Sequence, residues 1–173
     1  DSVITPRFAI SCSTEQLIAA GRLHEQYPGT YIQTHLSENK DEINSTLSLY
    51  PDCQDYLEVY ERAGLVTDRS VFGHCIHLSD SECRRLAEAG SVIAHCPTSN
   101  LFLGSGLFDM LQANRVGMQT VLATDVGAGT SFSLLRTMGE AYKVQQLNGY
   151  PVSVFESLYK CTLGAAKALH LDD

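Results

Sequence analysis

The side chains best placed to do chemistry are four polar groups at or just past the ends of short β-prone runs. They are Arg7 in Thr5-Pro6-Arg7-Phe8, His35 in Gln33-Thr34-His35-Leu36-Ser37-Glu38-Asn39, His74 in Phe72-Gly73-His74-Cys75, and Asp125 in Ala123-Thr124-Asp125-Val126-Gly127. Alone, each says little, because a histidine after a strand is more often packed or hydrogen-bonded than a ligand. Together, two histidines and an aspartate on three separate strands supply the nitrogen and oxygen donors that suit a catalytic zinc with an open coordination position. Glu38, three residues after His35, adds an acid/base group beside such a metal. By itself it reads equally well as a carboxylate favoured at a helix N-terminus by the helix dipole.

These residues need elements to hold them. Runs near 3–10, 31–34, 71–73, 91–94 and 120–123 are β-prone, and each is followed by a loop and a helical stretch. That alternation predicts a parallel sheet of βα units. Ser13 with Gln16, Ser79 with Glu82 and Ser153 with Glu156 place a hydroxyl three residues before a Glu or Gln, the pattern of a helix start. Gly64, Gly90 and Asn148-Gly149 with Pro151 mark helix ends. The segment Asn39 to Gly64 has room for two short helices broken at Pro51. Five such units fit an open doubly wound sheet or part of a (β/α)8 barrel, whose full form needs roughly 250 residues. Length favours the first. The polar residues favour the second, because strand C-terminal ends converge on one mouth in a barrel.

The same motifs carry a family resemblance. Thr5-Pro6-Arg7-Phe8, Thr34-His35-Leu36-Ser37-Glu38-Asn39, Phe72-Gly73-His74-Cys75, Ala94-His95-Cys96-Pro97-Thr98-Ser99-Asn100 and Thr124-Asp125-Val126-Gly127 resemble, in order, successive motifs of guanine deaminases in the amidohydrolase superfamily. The His-x-x-Glu, the later His and the Thr-Asp are shared with other deaminases and chlorohydrolases of the superfamily. Pro-Arg-Phe and the stretch Leu103 to Phe108 narrow the resemblance to guanine. It implies a partial (β/α)8 barrel of about five βα units, with residues 1–173 the C-terminal part of one barrel domain. It implies His35 and Asp125 as zinc ligands, Glu38 as proton shuttle with Asp125 sharing in the handling of the proton removed, and His74 as the group orienting water or substrate. Arg7 would hold the carbonyl edge of the purine, with Phe8 against the ring. The activity implied is hydrolysis of guanine to xanthine and ammonia, a step of purine catabolism. The alternatives are another amidohydrolase acting on a different aminated heterocycle, and a non-catalytic relative that kept the barrel for binding.

One departure from the family is large. No His-x-His pair, expected on the first barrel strand as two further zinc ligands, occurs in these residues. The chain begins at Asp1 and enters Val3-Ile4 almost at once, so the expectation is that earlier strands lie upstream and that this piece alone is inactive. His24 and His170 fall in predicted helices, where a solvated role is the default. His95 and Cys96 fit a supporting role better than ligation, Ser99 and Asn100 are candidates to line the pocket, and Gly127 and Gly129 to shape the last loop.

Composition narrows the partners. With 44% hydrophobic and 18% charged residues the chain can bury a core, and its net charge of -8 gives no general attraction to nucleic acid or an anionic membrane. A small molecule fits better, and the resemblance leaves a homodimer open. Six cysteines occur singly, as expected of reduced, mostly buried thiols. With no signal-like start and no long apolar run, a cytoplasmic setting is expected.

Overall fold

In the computed structural model, which describes residues 2–172, five parallel strands lie side by side in chain order: β1 (Val3–Ile4), β2 (Tyr31–Leu36), β3 (Ser70–His74), β4 (Val92–His95) and β5 (Gln119–Leu122). That order separates the two folds left open by the sequence. A doubly wound sheet reverses direction at a switch point, whereas here each strand joins the next on the same side, as successive strands of a barrel do. All four pairings are parallel, and β2 to β3 is the longest register, from Ile32 opposite Ser70 to Leu36 opposite His74.

The crossovers are α1 (Thr14–Gln26), the pair α2 (Lys40–Leu49) and α3 (Tyr56–Arg62), then α4 (Asp80–Glu88), and the pair α5 (Pro97–Leu103) and α6 (Met110–Arg115). After β5 come α7 (Leu134–Leu147), α8 (Val154–Cys161) and α9 (Leu163–Ala168). Their starts follow from the caps. Ser13 and Ser79 form reciprocal capping boxes with Gln16 and Glu82, while Ser153 accepts from the Glu156 N–H without a return bond. Asn39 with Glu42 makes a third box, and the Glu38 N–H also donates to Glu42 Oε2 at 2.9 Å. Glu38 is thereby fixed at the head of α2. Helix α3 ends at Gly64 with φ 71°, a backbone conformation costly to any residue with a Cβ.

The core forms where helices cover the sheet: Ile32, Leu36, Phe72 and Ile93 from strands meet Leu17, Tyr56, Leu57, Tyr60 and Leu86 from helices, all essentially inaccessible. Each such side chain contributes about 1.5–3 kcal/mol by leaving water. Among the described residues no helix is long and apolar enough to cross a membrane.

Three details differ from expectation. The first strand spans two residues rather than 3–10, because Pro6 has no N–H to continue the ladder; Arg7 and Phe8 therefore lie in a loop that runs into a single 3-10 turn, Ala9–Ser11. His24 is buried within α1, with Nδ1 3.2 Å from Thr30 Oγ1, rather than solvated. His170 lies beyond the end of α9 in a turn with φ 51°.

Candidate active site

The C-terminal strand ends carry unusual backbone. Ser37 (φ 50°), His74 (φ 72°), Cys75 (φ 54°) and Asp125 (φ 45°) all adopt the left-handed region, which non-glycine residues rarely visit. Such conformations cost of order 1–3 kcal/mol each and persist where the surroundings over-determine them, typically at functional sites. At Asp125 the determinant is visible. The Gly129 N–H donates to the Asp125 carbonyl, and a Cβ on Gly129 would lie 1.8 Å from the Thr124 carbonyl oxygen. Only glycine closes that turn.

The result is convergence. His35, His74 and Asp125 each present a ligand atom, all within 4.8 Å of one another, so one metal ion can be held among them. The His35 and His74 rings stack with centroids 5.1 Å apart. His35 Nδ1 lies 2.7 Å from the Arg7 carbonyl oxygen. A carbonyl only accepts, so Nδ1 carries the proton and Nε2 keeps a free lone pair, as a metal ligand requires. The His35 imidazole and the Asp125 carboxylate are donors that suit zinc.

His74, only 2% exposed, has Nδ1 3.0 Å from Asn100 Nδ2. An amide nitrogen only donates, so this ring accepts through Nδ1 and carries its proton on Nε2. Burial, followed by the neighbouring His35 charge, lowers the His74 pKa to about 4 and keeps it neutral at pH 7. Glu38 Oε1 sits 3.8 Å from His74 Nδ1 and accepts from Ser105 Oγ at 3.2 Å. With the imidazole neutral, this is proximity and not an ion pair.

Arg7 is exposed, and its guanidinium carbon lies 5.0 Å from the Phe8 ring centroid. The Phe8 ring is 5.7 Å from that of His35. Arg7 has no ion-pair partner among the described residues, so its donors are free for a ligand. All six sequence-predicted residues thus lie in one connected patch: Arg7 on Phe8, Phe8 on His35, His35 with His74 and Asp125, and His74 beside Glu38.

His95 and Cys96 stay outside the metal-capable group. The His95 ring is fully buried, stacks on Phe108 at 4.7 Å and finds no hydrogen-bond partner among the described residues. Burial is the main cause that lowers its pKa to about 3. The Cys96 thiol is pushed up to about 12 by burial, which makes it a poor thiolate at neutral pH. Asn100, a candidate pocket residue by sequence, is the partner of His74; Ser99 is buried nearby with its hydroxyl unpaired. Sequence reasoning missed Ser105 and Tyr60. Ser105 lies within the Leu103 to Phe108 stretch but was given no role there, and Tyr60, outside every motif, reaches the site from 25 residues beyond His35 through its phenol.

Comparison with known proteins gives the family and the fold. The family described as "Amidohydrolase family" matches residues 1–173. The chain is 54% identical over 170 residues to a guanine deaminase of Escherichia coli strain K12, covering 98% of this chain and 39% of that protein. The solved structure of E. coli guanine deaminase superposes with a TM-score of 0.97, covering 99% of this chain and 40% of that one. A guanine deaminase from C. acetobutylicum, solved with guanine bound in its active site, gives a TM-score of 0.92 at 35% identity, covering 96% of this chain and 42% of that one. This chain therefore spans about two fifths of the length of these relatives.

Proposed function

The chain belongs to the amidohydrolase family, and from that premise we propose that it is the C-terminal part of a barrel that deaminates guanine hydrolytically, giving xanthine and ammonia. The observation that carries this is the meeting of His35, His74 and Asp125 within 4.8 Å. His35 Nε2 and the Asp125 carboxylate would hold a zinc ion. When bound, zinc supplies a Lewis acid that makes a nucleophile from water near neutral pH.

The chain's own residues do the rest. Glu38, anchored by Ser105, takes the proton released as water adds to the purine C2 and returns it to N3; the proton of the new C2 hydroxyl then passes, by way of Asp125 or Glu38, to the amino group, which leaves as ammonia while the C2 carbonyl forms. Neutral His74 offers its Nε2–H to orient the water or the substrate. Arg7 donates to the carbonyl at the six-position, where adenine presents an amino donor instead, and Phe8 packs on the ring. The net charge of -8 supports a small neutral substrate over nucleic acid. A cytoplasmic enzyme, and a homodimer, fit the same reading.

The activity belongs to a polypeptide carrying this chain at the length of its relatives, called the full-length form below. His35→Ala and Asp125→Ala in that form are expected to lose bound zinc, measured by elemental analysis. Full zinc occupancy in either variant would contradict the ligand assignment.

A further inference from the structure

The phenol of Tyr60 sits between two parts of the proposed site that are far apart in sequence. It projects from α3, is 0% exposed, and donates to the His35 carbonyl at 2.8 Å. It accepts from the Ala9 N–H at 3.0 Å, and the Thr34 hydroxyl lies 3.1 Å away. A phenol oxygen has one proton and two lone pairs, enough for the His35 carbonyl, the Ala9 N–H and one hydroxyl, with Thr34 nearer than Tyr56. Burial raises its pKa, and it works only as a neutral hydrogen-bonding hub.

The hub matters because every other hydrogen bond between these segments converges on one atom, the Arg7 carbonyl oxygen, and only Tyr60 ties Ala9 to β2. Strand β1 pairs with β2 at only two positions, Val3 with Tyr31 and Ile4 with Ile32. Beyond Pro6 the segment Arg7–Ala9 leaves the sheet. It is held to β2 through the Arg7 carbonyl, which accepts from the His35 N–H at 3.1 Å and from His35 Nδ1 at 2.7 Å and lies 3.2 Å from the Thr34 hydroxyl, and through Tyr60. The Arg7 carbonyl orients the His35 ring, while the Arg7 side chain faces solvent. A shift of Ala9 relative to His35 therefore moves both groups at once.

We infer that Tyr60 is a positioning residue that locks the segment Arg7–Ala9 to the main chain of His35, so that one phenol sets both the orientation of the metal-binding imidazole and the place of the guanidinium. This rests on the functional reading above. Tyr60→Phe removes the bridge and leaves the Ala9 N–H and the His35 carbonyl buried without it. Tyr56, one turn earlier on α3 and 1% exposed, reaches neither segment, and its hydroxyl lies 3.4 Å from that of Tyr60. Tyr56→Phe therefore removes the same atom from the same core and serves as the control.

In the full-length form, zinc affinity measured by chelator competition is expected to fall about tenfold or more in Tyr60→Phe, as when outer-shell partners of a ligand are lost, and to hold within about twofold in Tyr56→Phe. The ratio of kcat/KM for guanine to that for 2-aminopurine, which lacks the carbonyl, should also fall in Tyr60→Phe alone; a ratio is blind to the fraction of enzyme folded. Unchanged zinc affinity in Tyr60→Phe, or equal loss in both variants, overturns the bridge. If the unmodified enzyme does not act on guanine, the functional reading fails and the zinc competition still decides the bridge. Should Tyr60→Phe not fold, Thr34→Val, similar in shape but lacking the hydroxyl that faces both the Tyr60 phenol and the Arg7 carbonyl, loosens the same lock and should lower zinc affinity at least about twofold; no change there overturns the inference.

Discussion

Replacing Arg7 with alanine separates substrate recognition from folding and from metal binding. Arg7 is exposed and forms no ion pair among the described residues; its clear side-chain contact is with the Phe8 ring at 5.0 Å. An exposed cation–π contact is worth about 0.5–1 kcal/mol, so the melting temperature should drop by no more than a few degrees. Zinc should stay, because His35 is held by the main-chain carbonyl of Arg7, which alanine keeps. Substrate is another matter. A charge-assisted hydrogen bond contributes roughly 1.5–3 kcal/mol, which converts to a loss in kcat/KM of about tenfold to 150-fold. The assay is steady-state ammonia release from guanine and from 2-aminopurine, each with the full-length form and with Arg7→Ala. Guanine turnover should fall by that factor and 2-aminopurine turnover should not. Unchanged guanine turnover, or equal loss for both substrates, would refute the assignment of Arg7 to the carbonyl.

Glu38→Gln keeps the shape and the contact with Ser105 but removes the proton shuttle, so the full-length variant should retain zinc by elemental analysis and lose turnover by a factor of about 100 or more; near-normal activity would remove Glu38 from the mechanism. Acid should destabilise the metal-free protein early. His74 and His95 have folded pKa values lowered to about 4 and about 3 by burial, against an ordinary value near 6.5. Their contribution is complete above about pH 6.5 and is lost as pH falls towards 4, because the unfolded chain takes up protons that the folded one refuses, at up to about 1.4 kcal/mol per pH unit for each ring. Urea midpoints at pH 7.5, 6 and 5 should decline in that order, and a constant midpoint would contradict the burial of neutral imidazoles.

The strands and their caps were legible because they are local. A hydroxyl three residues before Gln16 at Ser13 and before Glu82 at Ser79, glycine at 64 and 90, and β-prone runs each report on a few neighbouring residues, and the structure has those elements there. The short β1 was legible too, had the missing N–H of Pro6 been given more weight than the apolar run around it. The barrel-like order could be argued only indirectly, from polar residues gathering at strand ends, since strand order is a long-range property. Asn100 was legible as a pocket candidate, but the partners of the supporting residues were hidden for the same reason. Asn100 meets His74 across 26 residues, Ser105 meets Glu38 across 67, and Tyr60 meets Ala9 across 51. Asparagine, serine and tyrosine occur everywhere in proteins, and only the fold brings these three to the atoms they hold.

On the proposed reading, this chain supplies part of a zinc-dependent site that removes the amino group of guanine. Ammonia release from guanine, adenine and cytosine, measured side by side with the zinc-loaded full-length form, tests it most directly. The account predicts that guanine is the best substrate by kcat/KM and yields xanthine in equal amount to ammonia. A higher kcat/KM for adenine or cytosine would contradict it and leave only the family assignment standing.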